Sequence, residues 1–160
     1  MRPGTGVAIA LASLIVATPA RSQEGSPAPA FTVRDLDGHN IRMQDLRGRP
    51  VVLDFWATWC APCRASMPDL NALQARYADQ GLTVIGLALD EDGTQPVRKF
   101  VDQLGVKFRI ALANDRVLSQ YGPIRSAPTT VFINRRGIVV RRVVGYIDQE
   151  TMDTFVRELF

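Results

Sequence analysis

A chain of 160 residues with 19 basic and 16 acidic side chains, a net charge of +3, has the length for one domain with a real core and, once its amino-terminal segment is set aside, too little for two. Its two cysteines and single histidine exclude a structural zinc centre, which needs four ligands. The positive balance comes mostly from arginine; without aromatics interleaved among the basic residues it reads as a solvated basic face that attracts acidic partners, and not as a nucleic-acid surface.

Taken in chain order, Arg2, the apolar stretch Val7 to Ala17 and the small residues at Ala20 and Ser22 follow the pattern of a signal peptide over residues 1–22. The stretch is about eleven residues, against the roughly 20 that a spanning helix needs. Export to the periplasm is therefore expected, with cleavage after Ala20 or after Ser22, or with an uncleaved amino-terminal tether as the alternative. No cysteine lies near the cleavage region to carry a lipid anchor. Residues 23–29, with Pro27 and Pro29, read as a linker, and residues 30–160 as the folded domain.

Phe31 to Arg34 and Asn40 to Met43 predict a short hairpin around the Asp37-Gly38 turn, with His39 an exposed loop side chain. After the break at Arg47 to Pro50, the nearly continuous apolar run Val51 to Ala57 predicts a central buried strand, interrupted only by Asp54. From Cys60 to about Gln80, Met67, Leu70, Leu73 and Tyr77 recur at spacings of three and four, a helix face that Pro68 should kink and Gly81 should stop. Thr83 to Leu89 predicts a strand, Gln95 to Leu104 a helix, Lys107 to Leu112 a strand and Asp115 to Tyr121 a short helix.

The last third predicts strands over Thr129 to Asn134 and Ile138 to Val144, with Gly137 in the turn between them and the pairs Arg135-Arg136 and Arg141-Arg142 alongside, then a helix from Asp148 to Phe160. Strands separated by helices are most easily parallel and strands joined by a tight turn are antiparallel. The expected class is α/β, with a mixed central sheet flanked by helices.

The chemistry points to Trp59-Cys60-Ala61-Pro62-Cys63-Arg64. Two residues between thiols let them close one small disulfide ring, and Pro62 favours the first turn of a helix whose amino terminus stabilises a thiolate at Cys60. So small a ring removes little loop entropy from the unfolded chain, which favours a reversible dithiol over a structural staple. Arg64 adds a modest charge effect. Asp54 is either a polar residue tolerated at a strand edge or a buried carboxyl; burial without a partner costs several kcal/mol and raises the pKa. In the second reading it is the base that takes the Cys63 proton, directly or through a water. Trp56 reads as core.

These residues resemble the thioredoxin superfamily and, within it, the exported disulfide reductases of the TlpA and ResA kind, over nearly the whole chain from about Ala28. Asp54-Phe55-Trp56-Ala57-Thr58-Trp59-Cys60-Ala61-Pro62-Cys63 looks like the family's active-site strand and helix start, and Pro68 falls where that helix kinks. A second motif is Ala127-Pro128-Thr129-Thr130, followed by the apolar Val131 to Ile133. The resemblance implies a thioredoxin-like fold with an amino-terminal β-hairpin, a TlpA-type β/α insertion after Leu89-Asp90-Glu91-Asp92, and a cis Ala127–Pro128 bond facing the disulfide. The chain departs from the pattern at Ser66, where the subgroup often carries glutamate, at Ser126, where glycine is frequent, and at Thr129, where cytochrome c maturation thioredoxins have glutamate.

The resemblance implies a protein-disulfide reductase in which Cys60 attacks a substrate disulfide, Cys63 resolves the mixed disulfide and Asp54 is the base. Trp59, Pro128 and the Ala127 backbone then form an apolar lip for an extended substrate segment, with plain packing as the other reading of Trp59. No cofactor or metal is expected. The partners implied are disulfide-containing exported proteins, among them apocytochrome c or a copper-site protein, and a membrane thiol-disulfide electron donor, with the chain itself a monomer. A disulfide oxidase would use the same cysteines. Copper delivery in related chaperones uses a wider cysteine spacing and a later histidine, whereas His39 comes first. A thiol peroxidase would need Pro and Thr where this chain has Leu53 and Ala57.

Overall fold

In the computed structural model, which describes residues 24–160, the apolar run at Val51 becomes the middle strand of a sheet because each of its residues is buried: β3 (Val51–Trp56). The hairpin that precedes it consists of β1 (Thr32–Arg34) and β2 (Asn40–Arg42), paired antiparallel. After β3 come α1 (Ala61–Tyr77), β4 (Thr83–Ala88), α2 (Thr94–Leu104), β5 (Arg109–Leu112), α3 (Asp115–Tyr121), β6 (Thr129–Ile133), β7 (Val139–Val144) and α4 (Gln149–Arg157). The central sheet has the order β5-β4-β3-β6-β7. Its helix-linked neighbours β3, β4 and β5 are parallel, while β6 runs antiparallel to β3 and to β7. This is the expected mixed sheet.

Because side chains alternate along a strand, β3 serves two cores. Val52 and Trp56 join Met67, Leu70 and Leu73 of α1, Val97 and Phe100 of α2, and Met152 and Val156 of α4. Val51, Leu53 and Phe55 join Phe31, Val33 and Ile41 of the hairpin and Val117 and Tyr121 of α3. Helices α1, α2 and α4 therefore cover one face, and the hairpin with α3 covers the other. Asp54 shares its parity with Val52 and Trp56 and so belongs to the α1 face.

Tertiary contacts move several element ends. Met43, expected in β2, instead opens a 3-10 turn over Met43–Leu46 that buries both its end residues. Lys107 falls outside β5 because its N–H donates to Asn71 Oδ1 of α1 at 2.7 Å. Helix α4 stops at Arg157, and Phe160 stacks on Tyr77 with ring centres 5.6 Å apart. Helix α1 runs on through Pro68, whose ring is exposed, and Gly81, at φ +88°, ends the 3-10 turn that follows it.

The segment read as a linker is docked. Gly25 N–H donates to the Val139 carbonyl (2.8 Å), Val139 N–H to the Ser26 carbonyl (2.9 Å) and Ala28 N–H to the Gly137 carbonyl (2.8 Å), which lays residues 25–28 along the outer edge of β7. At the opposite edge Leu36 N–H donates to the Ile110 carbonyl of β5 at 2.9 Å, and Asp35 accepts from Arg109 Nη2 at 2.7 Å. His39, in the hairpin turn, is exposed as expected. The expected signal peptide, residues 1–22, lies outside the described residues. Among those described, no helix is long and apolar enough to cross a membrane.

Candidate active site

The chain leaves β3 at Trp56, turns through Ala57 to Trp59 and enters α1 with Cys60 as its N-cap. Pro62 occupies the first helical turn, and Cys60 Sγ accepts the Cys63 N–H at 3.2 Å. Helix start and sulfur are thus placed together, and the exposed amide dipole favours negative charge on Cys60. Cys60 and Cys63 form a disulfide, with an S–S distance of 2.10 Å. Cys63 is fully buried, whereas Cys60 retains 5% exposure. Of the two cysteines, Cys60 is therefore the one that solvent reaches.

The approach loop is pinned by a residue that sequence reading assigned only to the insertion. Asp90, just beyond β4, accepts the Thr58 N–H at 3.1 Å through Oδ2, and its Oδ1 accepts the Thr58 hydroxyl. Ser66, at the position where a glutamate is frequent in the subgroup, donates its buried hydroxyl to the Cys63 carbonyl at 2.9 Å. Arg64 places its guanidinium 4.6 Å over the Phe100 ring, which itself packs on Trp56.

Asp54 is 1% exposed, which removes the strand-edge reading. Its Oδ1 accepts the Thr130 hydroxyl at 3.0 Å, and its Oδ2 has no hydrogen bond. Burial strips water from the carboxylate and raises the pKa, the Thr130 bond opposes this only in part, and the group is pushed up to about 7. Opposite Asp54 on β4 stands Gly86. A Cβ there would come within 2.5 Å of Ile110 Cδ1 and 2.9 Å of Trp56 Nε1, so the missing side chain is what leaves room for both. Trp56 itself is fully buried, as expected of a core residue.

Ala127–Pro128 is cis, as the resemblance implied; Gly122–Pro123 is also cis, which no sequence feature had indicated. Trp59 is 72% exposed, so it is no packing residue. With Leu89, Leu118, Ile124 and residues 125–127 it lines a groove of about 280 Å³. Ala127 is thus in the groove wall, whereas Pro128 is buried behind it and accepts the Gly145 N–H through its carbonyl at 2.8 Å. The arrangement joins a helix-capped sulfur, a buried partner sulfur, a carboxyl titrating near neutrality and an apolar groove. Sequence reading had found the cysteines, Asp54, Trp59 and Ala127, and had missed the supporting Thr58, Asp90, Gly86 and Thr130.

Comparison with known proteins agrees with this geometry. Residues 23–157 match the Redoxin family. The thiol-disulfide oxidoreductase ResA of Bacillus thuringiensis (strain Al Hakam) is 36% identical over 140 residues, covering 87% of this chain and 80% of ResA. A Chlorobium tepidum protein, solved as a candidate thiol:disulfide interchange protein DsbE, superposes with a TM-score of 0.78 at 33% identity, over 85% of this chain and 96% of that one. A secreted Mycobacterium tuberculosis disulfide oxidoreductase homologous to E. coli DsbE gives a TM-score of 0.70 at 28% identity, over 81% and 96%. With the thioredoxin-like sheet order and the Cys60–Cys63 disulfide already in place, these matches make the chain a member of the Redoxin family and a thiol-disulfide oxidoreductase.

Proposed function

We propose that the protein is a disulfide reductase acting on exported proteins in the periplasm. The observation that carries this reading is how little, beyond the α1 amino terminus, would stabilise a Cys60 thiolate. Its sulfur receives one hydrogen bond, from the Cys63 N–H; Arg64 is stacked on Phe100; and the chain's histidine sits in the β1–β2 turn, which packs on the other face of the sheet. Strong oxidants owe their potential to a stabilised reduced form. A thiolate with modest support belongs to the reducing end.

In the reaction the Cys60 thiolate attacks one sulfur of the substrate disulfide, the other substrate sulfur leaves as thiolate, and a mixed disulfide forms. Cys63 then attacks Cys60 Sγ, its proton passing to Asp54, and the second substrate sulfur leaves. Two electrons have moved from the dithiol to the substrate. The Asp54 pKa of about 7 suits a base working near neutral pH. Trp59 and Ala127 hold the substrate segment, and Pro128 fixes the wall behind them.

The oxidised product must be reduced again, which calls for a membrane thiol-disulfide donor. The departures at Ser66, Ser126 and Thr129 leave the substrate open among apocytochrome c, copper-site proteins and other exported disulfide proteins. The relative described as secreted supports the exported address. Equilibration against glutathione buffers tests the direction. A potential below about −200 mV is expected, and one near about −120 mV, where the strong oxidant DsbA lies, would overturn the reading.

A further inference from the structure

We propose that Arg142 is a positioning residue for substrate: from β7 it clamps the loop that builds one wall of the groove beside Trp59. The inference rests on the groove being the substrate site. Arg142 is half-buried in β7, opposite Val131. Its Nη1 donates to the Tyr121 carbonyl, and its Nη2 donates to the Pro123 carbonyl at 3.1 Å. No carboxylate pairs with this guanidinium among the described residues; Glu24 instead accepts the Arg142 backbone N–H, at 2.9 Å. A partly desolvated cation that directs its donors to two carbonyls has been committed to holding backbone.

Those two carbonyls bracket Gly122, where the chain leaves α3 and starts toward the groove. Tyr121 is the last residue of α3, whose Leu118 lines the groove, and a cation at a helix carboxyl end is favourable. Pro123 leads directly into Ile124 and the residues that complete the wall. That stretch has no regular secondary structure. It is tied at its far end by the Thr129 hydroxyl, which donates to the Ser126 carbonyl at 2.6 Å, and at its near end by Arg142. The guanidinium fork reaches the two carbonyls from separate nitrogens held in one plane, whereas a lysine ammonium would have to serve both from a single nitrogen on a flexible stem. Loosening the near end should let the wall move away from Trp59, which weakens the hold on a substrate segment without touching the sulfurs.

The test is single-turnover reduction of insulin by the pre-reduced protein, with rates followed as insulin concentration rises. For Arg142→Met the half-saturating concentration is expected to rise five- to twenty-fold while the maximal rate changes less than twofold, with Arg142→Lys in between. Trp59→Ala, measured alongside, reports on the groove itself. If Trp59→Ala raises the half-saturating concentration and neither Arg142 variant does, the clamp is wrong and the groove stands. If none of the three raises it, the groove reading falls and the clamp falls with it. Should Arg142→Met fail to fold, the lysine variant decides alone: an unchanged half-saturating concentration overturns the proposal.

Discussion

Thr130 stands opposite Asp54 across the β3–β6 pairing, and its hydroxyl donates the single hydrogen bond, 3.0 Å long, that the Asp54 carboxyl receives. One neutral donor does not offset the loss of water around a buried carboxylate, so the proton stays on to about pH 7. The sign for stability follows. Below the ordinary value of 3.8 the group is protonated in both the folded and unfolded chain and has no effect; between 3.8 and about 7 the folded chain holds the extra proton. Stability therefore falls as pH rises through that window, by up to about 4 kcal/mol. Asp54→Asn should unfold at higher denaturant than the parent at pH 8 and should flatten the dependence between pH 5 and 8. Parallel curves for the two proteins would count against the assignment.

The same substitution should slow the second half of the reaction. With the base gone, Cys63 must deprotonate unaided, and resolution of the mixed disulfide should drop by about 10²-fold near pH 7. Formation of the mixed disulfide at Cys60 should change little. Quenched samples of the two steps, separated by mass, give both rates, and unaltered release of reduced substrate between pH 6 and 8 would remove Asp54 from the mechanism.

Cys63→Ser should trap the intermediate outright. Serine cannot resolve it, so Cys60 stays joined to whatever partner it attacked. Mass spectrometry of the adduct from a periplasmic extract names the substrate. Adducts forming equally with Cys60→Ser and Cys63→Ser would show that the inner sulfur is as reachable as the outer one, contrary to their burial.

Gly86→Ala should destabilise the fold by about 1–3 kcal/mol through overpacking. The new methyl would lie 2.5 Å from Ile110 Cδ1 and 2.9 Å from Trp56 Nε1, and both side chains are buried. Denaturant melts give the cost, and a shift of the emission in a Trp59→Phe background, where Trp56 is the one remaining tryptophan, reports the displacement. A variant as stable as the parent would mean that Ile110 alone yields.

Asp90→Ala should free the turn before Cys60. Thr58 loses the acceptor of both its N–H and its hydroxyl, a loss of about 1–3 kcal/mol for bonds to a charged group. The amide of Thr58 should exchange with solvent much faster, while amides in β3 keep their protection. Unchanged exchange at Thr58 would show that the loop is held by something else.

Legibility in the sequence followed the range of the forces involved. The burial of β3 and the apolar face of α1 are written as local periodicity, and the cysteine pair with its proline is a local motif. Asp54 could be singled out because a carboxyl in an apolar run stands out against its neighbours. Thr130 could not be given its role, since it meets Asp54 only through the β3–β6 register, 76 positions away. Asp90 reaches Thr58 across 32 positions and Arg142 reaches Tyr121 across 21, in each case through a fold that had first to be known. The displaced ends at Met43 and Lys107 have the same origin, a packed turn in one case and Asn71 of α1 in the other.

Residues 25–28 along β7 and Leu36 against β5 leave neither outer strand of the central sheet with a bare row of amides over these stretches. An open sheet edge presents unpaired N–H and C=O groups, a template on which another chain can add a strand and aggregate. Here the positions at Val139 and Ile110 are already taken by this chain's own backbone and offer no free ladder to a second strand. The borders of the sheet are thus closed by the chain itself: over these stretches the sheet cannot be lengthened by a strand from another molecule.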